Sequence, residues 1–165
     1  MLEFNSPTKI SIHCMHLTSL ELKSHPFKEN LIINDIDLEK AFLFSKLTAL
    51  NISGSSVTDK GIAQALQLLN NLKELNVSNC CLLTDQTIKR LGGDKFVNLK
   101  LNSLNSVSEE AVISLIIQSY NLNYLEVKGT VCFIQKVGTL RAISCTRKWP
   151  RYTLQTRLIL VRHLN

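Results

Sequence analysis

The sequence predicts an α/β fold, namely a right-handed solenoid with a short-stranded parallel sheet on its concave face and helices on its convex face. The pattern L-x-x-L-x-L, or a close variant of it, occurs five times in order along the 165 residues. The first positions of these patterns are residues 17, 47, 72, 96 and 122, so from residue 47 onward they are 25, 24 and 26 residues apart. Segments with the apolar spacing of a helix follow three of the patterns. A strand and a helix that recur at a fixed period are typical of stacked units, which share a core that no single unit can form alone.

Each leucine pattern predicts one short strand, because successive residues of a strand point to opposite faces of a sheet. The apolar residues of the pattern are expected to point into the core, and the residues between them to point outward. In the third pattern, Leu75 and Val77 are therefore predicted to be buried, whereas Asn76 and Ser78 face outward. The five patterns are Leu17-Leu20-Leu22, Leu47-Leu50-Ile52, Leu72-Leu75-Val77, Phe96-Leu99-Leu101 and Leu122-Leu125-Val127.

Residues that cap helices stand after three of the strand patterns. Thr58-Asp59, Thr84-Asp85 and Ser108-Glu109 each place a hydroxyl where it can accept a hydrogen bond from a free backbone N–H of a first helical turn. Apolar residues at helical spacing follow each cap and predict three helices. These residues are Ile62, Leu66 and Leu69; Ile88 and Leu91; and Val112, Leu115 and Ile116. Gly92-Gly93 follows the second of these helices, where glycine can end a helix with a positive φ.

The stretch from Leu72 to Asp85 reads LKELNVSNCCLLTD and resembles the cysteine-containing leucine-rich repeat of F-box/leucine-rich-repeat proteins and their relatives. The resemblance covers roughly residues 17–133, with an insertion at Phe27–Ile36 that stretches the first unit. It implies an N-terminal cap segment at 1–16, about five repeat units at 17–133 and a basic C-terminal tail or cap at 134–165. The geometry of stacked repeats predicts a protein-binding role. The resemblance implies one form of that role, substrate recognition for a ubiquitin ligase, with a ligase scaffold or adaptor as a partner.

The outward positions of the predicted strands form three rows, which are predicted to bind a protein partner on the concave face. The row before the last two core positions holds Ser19, Ala49, Glu74, Asn98 and Tyr124; the row between them holds Glu21, Asn51, Asn76, Lys100 and Glu126; and the row after the pattern holds Lys23, Ser53, Ser78, Asn102 and Lys128. A solvated face with no dedicated partner is the alternative interpretation. Tyr124 is the aromatic candidate for an anchor residue, because aromatic side chains often dominate binding energy, or it packs against the tail instead.

The cysteines predict packing rather than redox or metal chemistry. The chain has five of them, an odd number, and no two stand at C-x-x-C spacing. In the resembled repeat, the position of Cys80 turns inward beneath the strand, where a thiol fills a small space. Its neighbour Cys81 points elsewhere and is expected to be exposed.

No motif in the sequence indicates catalysis or the binding of a cofactor or metal. Phosphate loops, nucleophile elbows and zinc-protease patterns are all missing. His13, Cys14 and His16 form the best group of potential ligands, but no second pair of ligands stands near this group in the sequence, so an ordinary N-terminal cap strand is favoured. The chain is therefore predicted not to be an enzyme and to need no cofactor.

The basic residues are concentrated in the C-terminal tail. Residues 1–126 hold 11 Lys or Arg and 13 Asp or Glu, whereas residues 127–165 hold 8 Lys or Arg and no acidic residue. From Leu154 to Leu164, four apolar residues fall near one helical face, which predicts either a helix that caps the apolar end of the solenoid or a partly disordered end. A basic amphipathic helix can alternatively bind nucleic acid or an anionic membrane. A third alternative is a C-terminus whose composition carries no selected function.

The sequence also favours one compartment. It lacks the basic start and apolar stretch of a secretory signal, and none of its apolar stretches approaches the roughly 20 residues of a spanning helix. A cytoplasmic or nuclear location is therefore expected.

Overall fold

The structure is a computed structural model that describes residues 16–22, 33–41, 44–129, 153–155 and 157–161. Strands and helices alternate through most of this part of the chain. The strands are β1 (Ser19–Glu21), β2 (Ala49–Asn51), β3 (Glu74–Asn76), β4 (Asn98–Lys100), β5 (Tyr124–Val127), β6 (Thr153–Gln155) and β7 (Arg157–Val161). The helices are α1 (Asp35–Ala41), α2 (Asp59–Leu68), α3 (Asp85–Leu91) and α4 (Glu109–Gln118).

Strands β1 to β5 form a parallel sheet in which strands that follow one another along the chain are also neighbours in space. One leucine from each strand stands at the same level of the sheet: Leu20, Leu50, Leu75, Leu99 and Leu125. A helix lies in each of the four connections, since parallel neighbours need a long crossover. The predicted α/β class and the five predicted strands are confirmed.

One apolar cluster joins the strands to the helices. The strand patterns contribute residues such as Leu50 and Leu75, and each helix contributes at least one buried side chain, namely Leu38, Ile62, Ile88 and Val112. Leu75 and Val77 have 3% and 0% of their surface exposed, which confirms the predicted alternation at these positions. Burial of apolar surface stabilises by roughly 25 cal/mol per Å², so this cluster is the main source of folded-state stability.

The three predicted helix caps are confirmed. The Oγ1 atoms of Thr58 and Thr84 each accept a hydrogen bond of 3.2 Å from the backbone N–H two residues later. Ser108 Oγ accepts a bond of 3.2 Å from the backbone N–H of Ala111. At the end of α3, Gly93 has the positive φ of +110° that the sequence predicts for this glycine pair.

Helix α1 lies in the stretched first unit, where the sequence analysis placed no helix. Asn34 caps it, because Asn34 Oδ1 accepts hydrogen bonds from the backbone N–H groups of Ile36 and Asp37 at 2.9 and 3.2 Å. Leu38 is its fully buried residue. Helix α1 has only seven residues, and one of its described side chains is fully buried, so its periodic signal is too short to be recognised in a sequence.

The predicted helix from Leu154 to Leu164 is wrong, because the structure has two strands in this region. Strand β7 pairs with β5 in an antiparallel arrangement, and β6 pairs with β7. The outer edge of β5 offers unpaired backbone N–H and C=O groups, which an added strand satisfies and a helix cannot. Ile159 and Val161 are β-branched residues, which favour a strand.

Candidate protein-binding face

The sheet has a face opposite the core, which we call the open face. Two rows of outward side chains form it, and the strand register places the members of each row side by side. The rows are Ser19, Ala49, Glu74, Asn98 and Tyr124, and Glu21, Asn51, Asn76, Lys100 and Glu126. The alignment that the sequence predicts for these residues is confirmed, and their role in binding stays a prediction.

A depression of about 310 Å³ lies on the open face over β1 to β4. The small side chains of Ser19 and Ala49 line it beside the longer side chains of Glu21, Glu74 and Lys100. The depression therefore forms where small side chains lie beside longer side chains on the same or adjacent strands. A shallow, open depression of mixed polarity suits a protein segment better than a small molecule, which normally occupies an enclosed apolar pocket.

Hydrogen bonds orient the asparagine side chains of the open face. Asn51 Nδ2 donates to Glu21 Oε1 at 2.6 Å, and Asn51 Oδ1 accepts from the backbone N–H of Ser53 at 3.1 Å. Asn76 Oδ1 accepts in the same way from the backbone N–H of Ser78 at 3.0 Å. Each asparagine closes a turn directly after its strand. The two amides are thus held in place before a partner binds, which lowers the entropy cost of binding.

The third predicted row follows the strands and does not form a continuous outward surface. Strand β3 ends at Asn76, so the alternation of side chains does not extend to Ser78, which is buried with 5% of its surface exposed. The Ser78 hydroxyl accepts a hydrogen bond from the backbone N–H of Asn102 at 3.2 Å. The prediction that Ser78 faces outward is therefore wrong. The other members of this row are the half-buried Ser53, Asn102 and Lys128, and Lys23, which lies outside the described residues.

The open face ends at β5 in a hydrogen-bonded group. Tyr124 O–H donates to Glu126 Oε2 at 3.0 Å, and Lys128 forms an ion pair with the same carboxylate. Glu126 lies in the predicted row but is buried, with 8% of its surface exposed. Strand β5 is flanked by β4 and β7, and the polar partners Tyr124 and Lys128 lie two residues before and after Glu126. The hydrogen bond from Lys128 lowers the pKa of Glu126 more than burial raises it, and Tyr124 adds to the lowering. Lys100 Nζ lies 6.0 Å from the centre of the Tyr124 ring, within the range of a cation–π contact.

The structure also contains a set of polar contacts that the sequence analysis missed, which we call the carboxylate ladder. In it, Asp35, Asp59 and Asp85 each bind the cap residue of the next helix. Asp35 accepts hydrogen bonds from the backbone N–H and the hydroxyl of Thr58 at 2.8 and 2.7 Å. Asp85 accepts the same two bonds from Ser108, both at 2.7 Å. Each carboxylate thus lies near two helix N-termini, where the helix dipole favours negative charge.

Asp59 is the central member of the carboxylate ladder and accepts three hydrogen bonds. The Thr84 N–H and hydroxyl donate at 3.0 and 2.7 Å, and the Thr87 hydroxyl donates at 2.6 Å. Partial burial alone would raise the pKa of Asp59, but these hydrogen bonds together lower it below its ordinary value. The carboxylate is therefore charged in the folded chain at neutral pH, and its role is to hold α2 against α3.

Glu109 occupies the equivalent position in α4. Its Oε1 atom is buried and has no hydrogen-bond partner among the described residues. A second depression of about 460 Å³ lies beside it and is lined in part by Asp85, Ser108 and Glu110. The contacts of the carboxylate ladder therefore extend over three helix junctions of the described chain and stop at this carboxylate.

The two adjacent cysteines have different environments. Cys80 is fully buried, and its Sγ lies 3.3 Å from both Ser55 Oγ and the Ile52 carbonyl oxygen. Burial raises the pKa of the Cys80 thiol, although hydrogen bonds with Ser55 act in the opposite direction. Cys81 is exposed. The predicted inward position of Cys80 and exposed position of Cys81 are confirmed, and a buried thiol of raised pKa is a packing residue rather than a nucleophile.

The described part of the chain holds no group of three or more His, Cys, Asp or Glu side chains that could bind a metal ion. Two members of the ligand group considered from the sequence, His13 and Cys14, lie outside that part. None of the helices among the described residues combines the length and the apolar character that crossing a membrane requires.

No protein-family model matches the chain, and a search of curated proteins finds no matching sequence.

Proposed function

We propose that the chain is a leucine-rich-repeat solenoid that binds another protein, with the open face as its concave surface. The order of the elements supports the solenoid. Each of β2, β3 and β4 pairs with the strand before it and the strand after it, and each helix from α1 to α3 packs against the next helix. In stacked repeats every unit contacts its neighbours in this way, and the stack presents one extended surface for binding.

The observation that carries the binding proposal is the contrast between the two faces of the sheet. On the core side, the leucines of β2 to β5 are all buried. On the open face, the same short strands present glutamate, asparagine and lysine side chains around a depression, and a tyrosine at the β5 end of the face. Oriented asparagines with an aromatic residue at one end resemble the composition of protein-recognition surfaces, in which tyrosine provides contact area and asparagine provides hydrogen bonds.

Affinity purification with the full chain as bait tests this proposal. Asn76→Arg places a long charged side chain in the depression and should reduce the captured partner about tenfold, which corresponds to about 1.4 kcal/mol of binding free energy. Gln67→Arg is the matched control, because it adds the same side chain to an exposed position of α2. Circular dichroism establishes that both variants fold. If Asn76→Arg captures as much partner as the control, the open face is not the binding surface.

A ubiquitin-ligase role stays a prediction from the sequence. The same purification tests it, because a ligase scaffold or adaptor should be captured with the chain. Binding of nucleic acid or an anionic surface through the tail also stays a prediction. It requires binding that weakens steeply with salt and that is lost in a chain ending at Lys128.

A further inference from the structure

We propose that the partner presents a Lys or Arg side chain on an extended segment, and that this side chain lies over Ala49, between Glu21 and Glu74. The inference rests on the proposed function, since it names the chemistry of the partner that the open face accepts. Three observations support it: the positions of the two carboxylates, the hydrogen bond that holds one of them, and the change in the sign of charge at β4.

The two carboxylates lie near a small residue, Ala49: Glu74 is directly beside it, and Glu21 is diagonal to it, in the neighbouring row beside Asn51. Glu21 on β1 and Glu74 on β3 are both exposed. Ala49 on β2 stands between these strands, paired with Ser19 on one side and Glu74 on the other. Neighbouring strands are roughly 4.8 Å apart, so β1 and β3 are separated by roughly 10 Å. The methyl group of Ala49 leaves this space open, and its width suits one extended cationic side chain.

A hydrogen bond holds one of the carboxylates at the edge of the depression. Asn51 Nδ2 donates to Glu21 Oε1 at 2.6 Å. The backbone N–H of Ser53 in turn donates to Asn51 Oδ1 at 3.1 Å, so the amide itself is held by the backbone. Glu21 is thus oriented by the chain itself before another protein binds, which reduces the side-chain entropy that binding would otherwise cost.

The sign of the charge changes along the open face. Among the described residues of the open face, Glu21 and Glu74 are the charged side chains on β1 to β3, and the next charged side chain is the exposed Lys100 on β4. Charge complementarity therefore places a basic residue of the partner over β2 and excludes it from β4. Because exposed ion pairs contribute little affinity, we expect this pattern to select and orient the partner segment rather than to supply most of the binding energy.

Selection of a phage-displayed library of random 12-residue peptides on the full chain tests the inference. Enriched peptides should share a Lys or Arg, and their synthetic forms should bind the double variant Glu21→Gln/Glu74→Gln about tenfold more weakly than the wild type. The matched control is Glu39→Gln/Asp94→Asn, which makes the same change in net charge at two exposed positions away from the open face. This control should bind the peptides as tightly as the wild type.

The outcomes separate the inference from the proposed function. If Asn76→Arg abolishes peptide binding while Glu21→Gln/Glu74→Gln leaves it unchanged, the open face binds proteins and the inference about a basic residue is wrong. If neither variant changes binding, both are wrong. Enriched peptides without Lys or Arg also overturn the inference.

The alternative occupant of the space over Ala49 is the basic tail of a second copy of this chain. A synthetic peptide of residues 134–165 tests it in the same assay. If that peptide binds through Glu21 and Glu74 and the selected peptides do not displace it, the occupant is another copy of the chain and the inference of a separate partner fails.

Discussion

At the scale of single residues, Gly61 shows how one atom controls the first contact of the carboxylate ladder. Gly61 lies in the first turn of α2, where alanine is normally the better helix former by roughly 1 kcal/mol. A Cβ at this position would overlap the Asp35 carboxylate that binds the N–H and hydroxyl of Thr58. The glycine is therefore needed for the approach of Asp35 rather than for a special backbone conformation.

Gly61→Ala should lower the free energy of unfolding by about 1–3 kcal/mol, the usual cost of forcing extra atoms into a packed site, although helix propensity alone predicts the opposite sign. Urea denaturation measures the change. In the background of Asp35→Ala, the same substitution should become neutral or stabilising, because the overlapping carboxylate is gone. An equal loss of stability in both backgrounds would mean that Gly61 matters for another reason.

Asp59 should make the stability of the chain depend on acid. Its folded-state pKa is lowered, so the charged carboxylate stabilises the folded chain above the ordinary aspartate pKa of about 3.9, and this stabilisation is lost as the pH falls through the lowered pKa. Asp59→Asn should therefore be less stable at pH 7 and should lose less stability between about pH 4 and pH 2. Unfolding free energies measured in urea across this range test the prediction. The exposed Asp94→Asn is the control, and parallel pH profiles for Asp59→Asn and wild type would contradict it.

At the scale of one element, the two faces of strand β3 should respond differently to truncation. Leu75 is buried, whereas the side chain of Asn76 lies on the open face. Leu75→Ala should lower the free energy of unfolding by about 2–5 kcal/mol, the usual range for a buried leucine. Asn76→Ala should change stability by less than about 1 kcal/mol, since it removes one polar contact at a partly exposed site, and should weaken binding of a captured partner.

Thermal melts and a pull-down of the same partner measure both effects on β3. The opposite result, with Asn76→Ala unfolded and Leu75→Ala unaffected, would contradict the register of the sheet. Retained stability with unchanged capture in Asn76→Ala would leave the register intact and remove Asn76 from the binding surface.

At the scale of the whole molecule, the tail should protect the edge of the parallel sheet. Strand β7 pairs with all four residues of β5 from Tyr124 to Val127. A chain that ends after Gly129 would leave this edge unpaired, and unpaired edges promote association with other chains. The truncation should lower the free energy of unfolding by about 1–3 kcal/mol, because each backbone hydrogen bond contributes roughly 0.5–1.5 kcal/mol net.

Hydrogen exchange measures the effect of this truncation directly. Backbone amides of β5 that face β7 should exchange faster in the shortened chain, while those of β3 should change only with the global stability. Sedimentation should detect self-association of the shortened chain. Unchanged exchange in β5 would show that the pairing with β7 contributes nothing to the edge.

The features that the sequence alone determined are those that depend on local periodicity. The burial of Leu75 and Val77 could be predicted because the alternation of side chains along a short strand depends only on neighbouring residues. Thr58, Thr84 and Ser108 cap helices for the same reason, since a cap bonds to a backbone N–H two or three residues away. The spacing of the leucine patterns also determined which residues of β1 to β5 stand side by side.

The tertiary structure decided what depends on contacts between distant residues. Ser78 is buried because β3 ends at Asn76 and the next unit supplies the Asn102 N–H. Asp35 binds Thr58 across 23 residues, a partnership that no local pattern encodes. Residues 157–161 form a strand rather than a helix because β5 offers an unpaired edge. In each case the competing local preferences are small, and the unsatisfied backbone or carboxylate group of a neighbouring unit determines the outcome.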